Sequence, residues 1–402
     1  MRKNACNGAQ NGTGRLSSYH VVMSAQNSFN RHHLAAIDAA IDAAVAARSL
    51  PGAVYRLERG AAHAVRAYGR LDFGPDAAPV TGDTVFDVAS LTKVLVTAPA
   101  ILLLHEAGQI DLDAPLLRYL PECAGGGKDA ITVRQLLTHT SGLRAGLPAS
   151  PAWQGREAAL LLASLERVTH LPGSVFRYSD INYILLGVVI ERVAGVPLDA
   201  FAWQRIFAPL RMWDTGYRPL ARCDGRTIAP TQRGAVEVDA SMSSAQRDLA
   251  PGAVLQGHVH DPTVRRMGGV AGSAGVFSTA RDVARFARML LAGGELDGVR
   301  VLHADSVRLL STAQSPPGIA ALRGMGMDID SPFARRPRGR HYQIGSYGHT
   351  GYTGCILWID PQSRSFYVFL SNRVYPDDRN SILPLYDELG TLSALAALSA
   401  QQ

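Results

Sequence analysis

Apolar residues change their spacing several times along the chain, and each change marks an expected element. From His33 to Ala47 they recur at helical spacing and stop before Leu50-Pro51-Gly52, a helix-ending signal. Two strands are expected next, Ala53 to Glu58 and Ala62 to Tyr68, joined by a turn at Gly60. Thr84 to Ala89 is short and extended. At Ser90 the period returns to helical, with Leu91, Val94, Leu95, Ala98, Ile101, Leu102 and Leu104 apolar and a kink expected at Pro99. Residues 110–250 read as helices and loops. They include a short helix from Thr132 into His139-Thr140-Ser141-Gly142, and a longer one from Ile181 to Ala194 closed by Gly195. Thr279, with Asp282 three residues on, is expected to cap a helix running to Leu291. Two late strands, Cys355 to Ile359 and Ser365 to Ser371, are joined at Asp360-Pro361. A terminal helix from Ile382 to Ala400 is broken at Pro384.

Strands thus lie at both ends with helices between, so the sheet is expected to be assembled from the two ends of the chain. The expected division is a disordered segment 1–29, a sheet domain from 30–89 and 265–402, and a mainly helical domain 90–264, with the site in the cleft between them. No internal repeat or low-complexity linker is visible.

Composition narrows the class. Of 402 residues, 47% are hydrophobic and 18% charged, enough to bury a real core. The apolar stretch after Lys93 breaks at His105-Glu106, so no membrane span is expected. The first thirty residues lack the apolar segment and cleavage site of a secretory leader, which points to the cytoplasm, or to the periplasm if the start site is misassigned. Cys6, Cys123, Cys223 and Cys355 are too scattered for a zinc cage or a disulfide framework. The net charge of +6 is spread out. Its one dense run, Arg335, Arg336, Arg338 and Arg340, is broken by Pro337 and Gly339 and reads as a solvated loop rather than a nucleic-acid site. Oligomeric state is open.

The lysines are few: Lys3, Lys93 and Lys128. Lys93 opens an apolar helix, where an amine is costly unless paired or neutralised. In Ser90-Leu91-Thr92-Lys93 it lies three residues from a hydroxyl, on the same helical face. A neutral Lys93, favoured by desolvation, would activate Ser90 near the positive end of the helix. Tyr178-Ser179-Asp180 offers a phenol for proton exchange. His349-Thr350-Gly351 precedes a strand that can set backbone N–H groups beside the serine. Each pattern alone has a plainer explanation: a capping serine, a wet core-edge tyrosine, a glycine turn.

As an ordered set the three resemble the serine β-lactamase and penicillin-binding-protein-like family, within its class C β-lactamase and family VIII esterase branch. Leu136 to Leu143, Asn182 to Gly187, and Gly268 to Gly272 leading to Phe277-Ser278-Thr279 resemble the same family. The resemblance implies an α+β, β-lactamase/transpeptidase-like fold: an antiparallel sheet flanked by helices, plus an all-helical domain. It implies a serine hydrolase acting through an acyl-serine on small esters or amides, with no cofactor and no metal. Carried over residue by residue, Ser90 is the nucleophile, and Lys93 and Tyr178 handle the proton. The N–H groups of Ser90 and Tyr352 form the oxyanion hole. His349, Gly351 and Asp180 line the substrate site. Two departures bear on the substrate. Asp180 replaces an asparagine that would donate to a substrate amide, and His349 replaces a lysine that would hold a β-lactam carboxylate. Esterase activity is therefore expected to exceed β-lactamase activity.

Other readings weigh less. Ala271-Gly272-Ser273-Ala274-Gly275 lacks the first glycine of a nucleophile elbow, and Ser179-Asp180-Ile181-Asn182 is one residue too long for S-D-N; both read as structural. His258-Val259-His260-Asp261 has ligand-type side chains but from a single element, so a loop near the cleft is expected rather than a metal site. A D-alanyl-D-alanine carboxypeptidase, a true β-lactamase and a non-catalytic sensor or scaffold stand as alternatives.

Overall fold

The computed structural model describes residues 29–221, 225, 227–235 and 249–398. Apart from Phe29, the segment expected to be disordered lies outside them, as do Cys6 and Cys223. Helix α1 (Arg31–Ala46) starts where the Asn30 side chain accepts from the N–H groups of His32 and His33 at 3.0 and 3.3 Å. It buries Leu34, Ile37 and Ile41, one stripe of a 3.6-residue period. Strands β1 (Gly52–Arg59) and β2 (Ala62–Gly69) form the expected hairpin, turned at Gly60 with φ 58°.

From the far end of the chain come β3 (Leu322–Arg323), β4 (Asp328–Asp330), β5 (Tyr347–Gly351), β6 (Cys355–Asp360) and β7 (Ser365–Ser371). They join the hairpin in one antiparallel sheet of order β3-β4-β5-β6-β7-β1-β2. All seven residues of β7 are buried, because both faces of the sheet are covered. Tyr367 and Phe369 face a core with Ile37, Ile41 and Leu389. Phe366, Val368 and Leu370 face a larger one with Phe286, Met289 and Leu91. Ala280–Leu291, capped by Thr279 accepting from the Asp282 N–H, lies on that second side.

Between the chain ends run the helices that carry half of the cleft. Helix α2 (Ala98–Glu106) follows a widened π turn, Lys93–Thr97, in which the Ala98 N–H reaches the Lys93 carbonyl. Pro99 stands second in α2, directly after this π turn, where the run departs from a regular α-helix. The break expected at Pro384 is corrected: the last helix runs unbroken from Leu383 to Leu398 with the proline in its opening turn, where its missing N–H costs nothing. The Arg335–Arg340 run is not a free loop either. Arg335–Arg338 is a short helix, Pro337 is buried, and Arg338 reaches Asp330 at 2.9 Å. The 18-residue run Ala89–Glu106 proves long and apolar enough to cross a bilayer by length and composition, contrary to the sequence reading. However, 83% of it is buried inside the protein, and Lys93 sits within it.

Candidate active site

Ser90 lies in a short 3-10 turn, Ala89–Leu91, immediately before the π turn. This places Lys93 under the serine, with Nζ 3.0 Å from Ser90 Oγ. The same ammonium donates to the Ser273 carbonyl at 2.7 Å and lies 2.7 Å from Asp180 Oδ1. Its three hydrogens thus have these three acceptors, with the Tyr178 hydroxyl as a fourth partner that shares them. A fully buried ammonium needs them, since an unpaired buried charge costs several kcal/mol. Burial pushes the Lys93 pKa down, but Asp180 and Tyr178 more than offset it, and the amine is held above its ordinary range. The neutral lysine expected from the sequence is thereby corrected: desolvation is the largest single influence, and Asp180 and Tyr178 together outweigh it. Asp180, expected to meet substrate, spends one oxygen on this pair.

Tyr178 reaches the same point from another part of the chain. Its hydroxyl bonds to Lys93, whose Nζ lies 5.1 Å from the ring centre. Two residues of a neighbouring stretch, His139 and Ala145, hold this segment in place. His139 Nδ1 accepts the Ser179 N–H at 3.1 Å, its ring lies 4.4 Å from that of Tyr178, and the Asp180 N–H reaches the Ala145 carbonyl at 2.7 Å. Helix α4 (Asp180–Ala194, with Val133–Leu137 taken as α3) begins directly after it. The Ser273 carbonyl is delivered by close packing. A Cβ on Gly272 would sit 2.2 Å from the Tyr183 carbonyl, so only glycine lets that chain pass. The segment set aside as a false elbow is therefore structural in a specific sense: it supplies an acceptor to Lys93. Asn182 is fully buried, with its oxygen taken by the Ser141 hydroxyl at 2.6 Å.

The opposite wall is β5. His349 and Gly351 are on it, and Tyr352 comes next in the chain. A Cβ on Gly351 would meet the Val88 carbonyl at 2.4 Å, so the strand edge abuts the backbone just before the Ser90 turn. Gly351→Ala is expected to push this wall away, cutting kcat at least ~10-fold with KM little changed, since a displacement of about 1 Å can cost 10²-fold. Steady-state kinetics check this, and an unchanged kcat would contradict it. Tyr352 is anchored by Arg373, whose Nε and Nη2 donate to its carbonyl at 3.0 and 2.6 Å, and by Asp378, which accepts its hydroxyl at 2.8 Å. His349 Nδ1 donates to the Thr350 carbonyl at 2.7 Å. Burial first, then Arg323 and Lys93, hold its pKa well below the usual imidazole range, so it is a neutral ring.

Ser90, Tyr178 and His349 open into one cleft of about 300 Å³, with Phe333, Ile382 and Tyr386 on its walls. The buried guanidinium of Arg323 also lines it and faces Asp328 at 3.4 Å. Of the His258 to Asp261 motif, His260 stacks on the Tyr352 ring, centres 5.9 Å apart, while His258 lines a separate pocket with Arg218 and Phe277. Among the described residues no three metal-ligating side chains gather at one point.

A serine hydroxyl on a buried ammonium, with a phenol above both, is a hydrolase site on a sheet-and-helix fold. The family described as Beta-lactamase matches residues 37–391. The chain belongs to the Beta-lactamase family. It is an enzyme of the serine hydrolase class that this family comprises. A protein named "Putative D-alanyl-D-alanine carboxypeptidase" from Escherichia coli (strain K12) is 30% identical over 341 residues, 80% of this chain and 75% of that one. A namesake from Salmonella agona (strain SL483) is 31% identical over 315 residues, 73% and 70% of the two chains. Two solved structures share the fold. A penicillin-binding protein homolog from Caulobacter crescentus has a TM-score of 0.69 at 20% identity, covering 90% of this chain and 96% of that one. EstCE1, "a hydrolase with promiscuous acyltransferase activity", has a TM-score of 0.68 at 22% identity, covering 91% and 99%.

The motifs of this β-lactamase-family enzyme pointed to Ser90, Lys93, Tyr178, His349 and Gly351, and these do meet at one cleft. His139 and Ser273 lie in motifs noted in the sequence, but their part in the site was not read from them; Arg373 and the walls at Phe333 and Ile382 carry no sequence motif and were missed.

Proposed function

We propose that the enzyme hydrolyses small esters and amides through an acyl-Ser90 intermediate. The observation that carries this reading is the 3.0 Å contact between Ser90 Oγ and a lysine whose charge is fixed by Asp180. With Lys93 charged, the group left to take the Ser90 proton is the Tyr178 oxygen, which is hydrogen-bonded to the ammonium. Ser90 Oγ bonds to the substrate carbonyl carbon while its proton passes to Tyr178. The N–H groups of Ser90 and Tyr352 receive the resulting oxyanion. The bond to the leaving group breaks as Tyr178 returns the proton to it. Water then attacks the acyl-serine, again giving its proton to Tyr178, and the acid departs as Ser90 regains a proton.

Two features favour a small, uncharged substrate. The cleft is compact and largely apolar-walled, and each cation at it faces a carboxylate of the protein: Lys93 faces Asp180, Arg323 faces Asp328 and Arg373 faces Asp378. Purified protein is expected to cleave p-nitrophenyl acetate or butyrate far faster than a cephalosporin chromogen; the reverse order would overturn the ester reading. The names of the 30%-identical relatives favour a second substrate, a D-alanyl-D-alanine peptide. Release of D-alanine from such a peptide at rates above ester cleavage would select it.

Asp180→Asn separates the two possible roles of the lysine. Without the carboxylate, desolvation dominates and the Lys93 pKa falls. If the charged form is the working one, the alkaline limb of kcat/KM moves to lower pH and activity at high pH drops. A gain of activity at neutral pH would instead make the neutral amine the base.

A further inference from the structure

Directly behind the nucleophile lies a carboxylate that takes part in none of these steps. Asp87 is 1% exposed and ends the short strand Phe86–Asp87. Its Oδ1 accepts the Ala89 N–H at 2.9 Å, and its Oδ2 accepts the His260 N–H at 2.7 Å. Its backbone carbonyl accepts the Thr353 hydroxyl at 2.7 Å. Each of these partners adjoins the site. Ala89 precedes Ser90 and holds φ at 46°, a left-handed conformation that a non-glycine residue keeps only under constraint. Thr353 is the residue after Tyr352, and His260 stacks on the Tyr352 ring.

We propose that Asp87 is a positioning residue for the hydrolysis, its ionised carboxylate fixing the Ser90 turn against the Tyr352 turn. This rests on the roles assigned above to Ser90 and Tyr352. The carboxylate is suited to the task because two backbone N–H groups from different segments need two acceptor oxygens. Protonation turns one oxygen into a donor, and one of the two N–H groups then loses its partner.

That change falls within reach. Burial pushes the Asp87 pKa up to about 6, against the lowering effect of the His260 and Ala89 N–H groups. The charged groups facing it are Asp261, which raises it, and Arg265, which lowers it; the Cys355 thiol, which donates to the Asp87 carbonyl at 3.6 Å, is the neighbouring titratable group on β6. The raised value sets the sign for stability. Between the ordinary aspartate range and about pH 6 the native state binds more protons than the unfolded chain, so stability falls as pH rises through that window. Turnover rises through the same window, because the ionised form holds the turn. Stability and activity therefore run in opposite directions with pH.

The test is Asp87→Asn in the full chain, assayed with p-nitrophenyl butyrate. Asparagine keeps the shape but sets an NH₂ against one of the two N–H groups. The expected result is a fall in kcat of about 10- to 100-fold with KM changed less than ~3-fold, the scale of a small misplacement of reacting groups. The acid limb of wild-type kcat, centred near pH 6, should vanish in the variant, together with the wild type's loss of thermal stability on going from pH 4 to pH 6. A kcat within about twofold of wild type, or an acid limb of unchanged midpoint, would overturn the proposal. Should the variant not fold, the wild-type rate of fluorophosphonate labelling between pH 5 and pH 8 decides instead: a rate that does not fall below about pH 6 overturns it. If Ser90→Ala keeps turnover, the hydrolase reading itself has failed. If Ser90→Ala is inactive while Asp87→Asn is normal, this inference alone has failed.

Discussion

Ser90→Ala is expected to abolish ester turnover, by at least ~10⁴-fold in kcat, or about 5.5 kcal/mol of barrier at ~1.4 kcal/mol per decade. The alanine removes the atom that bonds to the acyl carbon, and no neighbour can replace it. Ser273, the serine of the elbow-like motif, is 1% exposed, and its carbonyl is turned to Lys93. The fold should survive, because the Ser90 side chain is half-buried and its hydroxyl bonds to Lys93, which keeps Ser273, Asp180 and Tyr178 as partners. Thermal unfolding is therefore expected to shift by no more than a few degrees. Residual activity above about 1% of wild type in a folded Ser90→Ala protein would contradict the acyl-serine route.

Lys93→Ala and Tyr178→Phe are each expected to cost ~10²- to 10⁴-fold in kcat, and the double variant should be hardly worse than the weaker single one. Non-additivity is a consequence of the geometry. The Tyr178 hydroxyl bonds to the Lys93 ammonium, and the same ammonium bonds to Ser90 Oγ. Removing either member leaves the other without its partner, so the second deletion has little left to remove. A double variant whose loss equals the product of the two single losses would mean that the residues act independently. A parallel thermal melt separates chemistry from folding, since Lys93→Ala also vacates a fully buried position.

The sequence exposed the parts of the site whose residues are neighbours on one element. Ser90 and Lys93 share a turn, His349 and Gly351 share a strand, and Tyr178 directly precedes a helix. The hairpin of β1 and β2, the capped helix after Thr279 and the late strands were legible for the same reason: their signals are local periodicities and turn residues. Contacts made by backbone atoms left no mark. The Ser273 carbonyl lies 180 positions from Lys93, and a carbonyl is present at every residue. The charge state of Lys93 was misjudged because burial could be read from the apolar surroundings, whereas the distance to Asp180 could not. Pro384 was misread as a helix break for want of one fact, the residue at which the last helix begins. The cleft walls at Phe333 and Ile382 were hidden because the sheet and the last helix bring them in from segments without a motif.

One experiment bears on the centre of the account. The protein is mixed with p-nitrophenyl butyrate, quenched in acid during turnover, digested, and its peptides are weighed by mass spectrometry. A butyryl group on the peptide holding Ser90, missing from the Ser90→Ala protein, is the expected result. A butyryl group fixed to a different side chain, or brisk hydrolysis with none trapped even when deacylation is slowed by cold, would show that the chemistry takes another route.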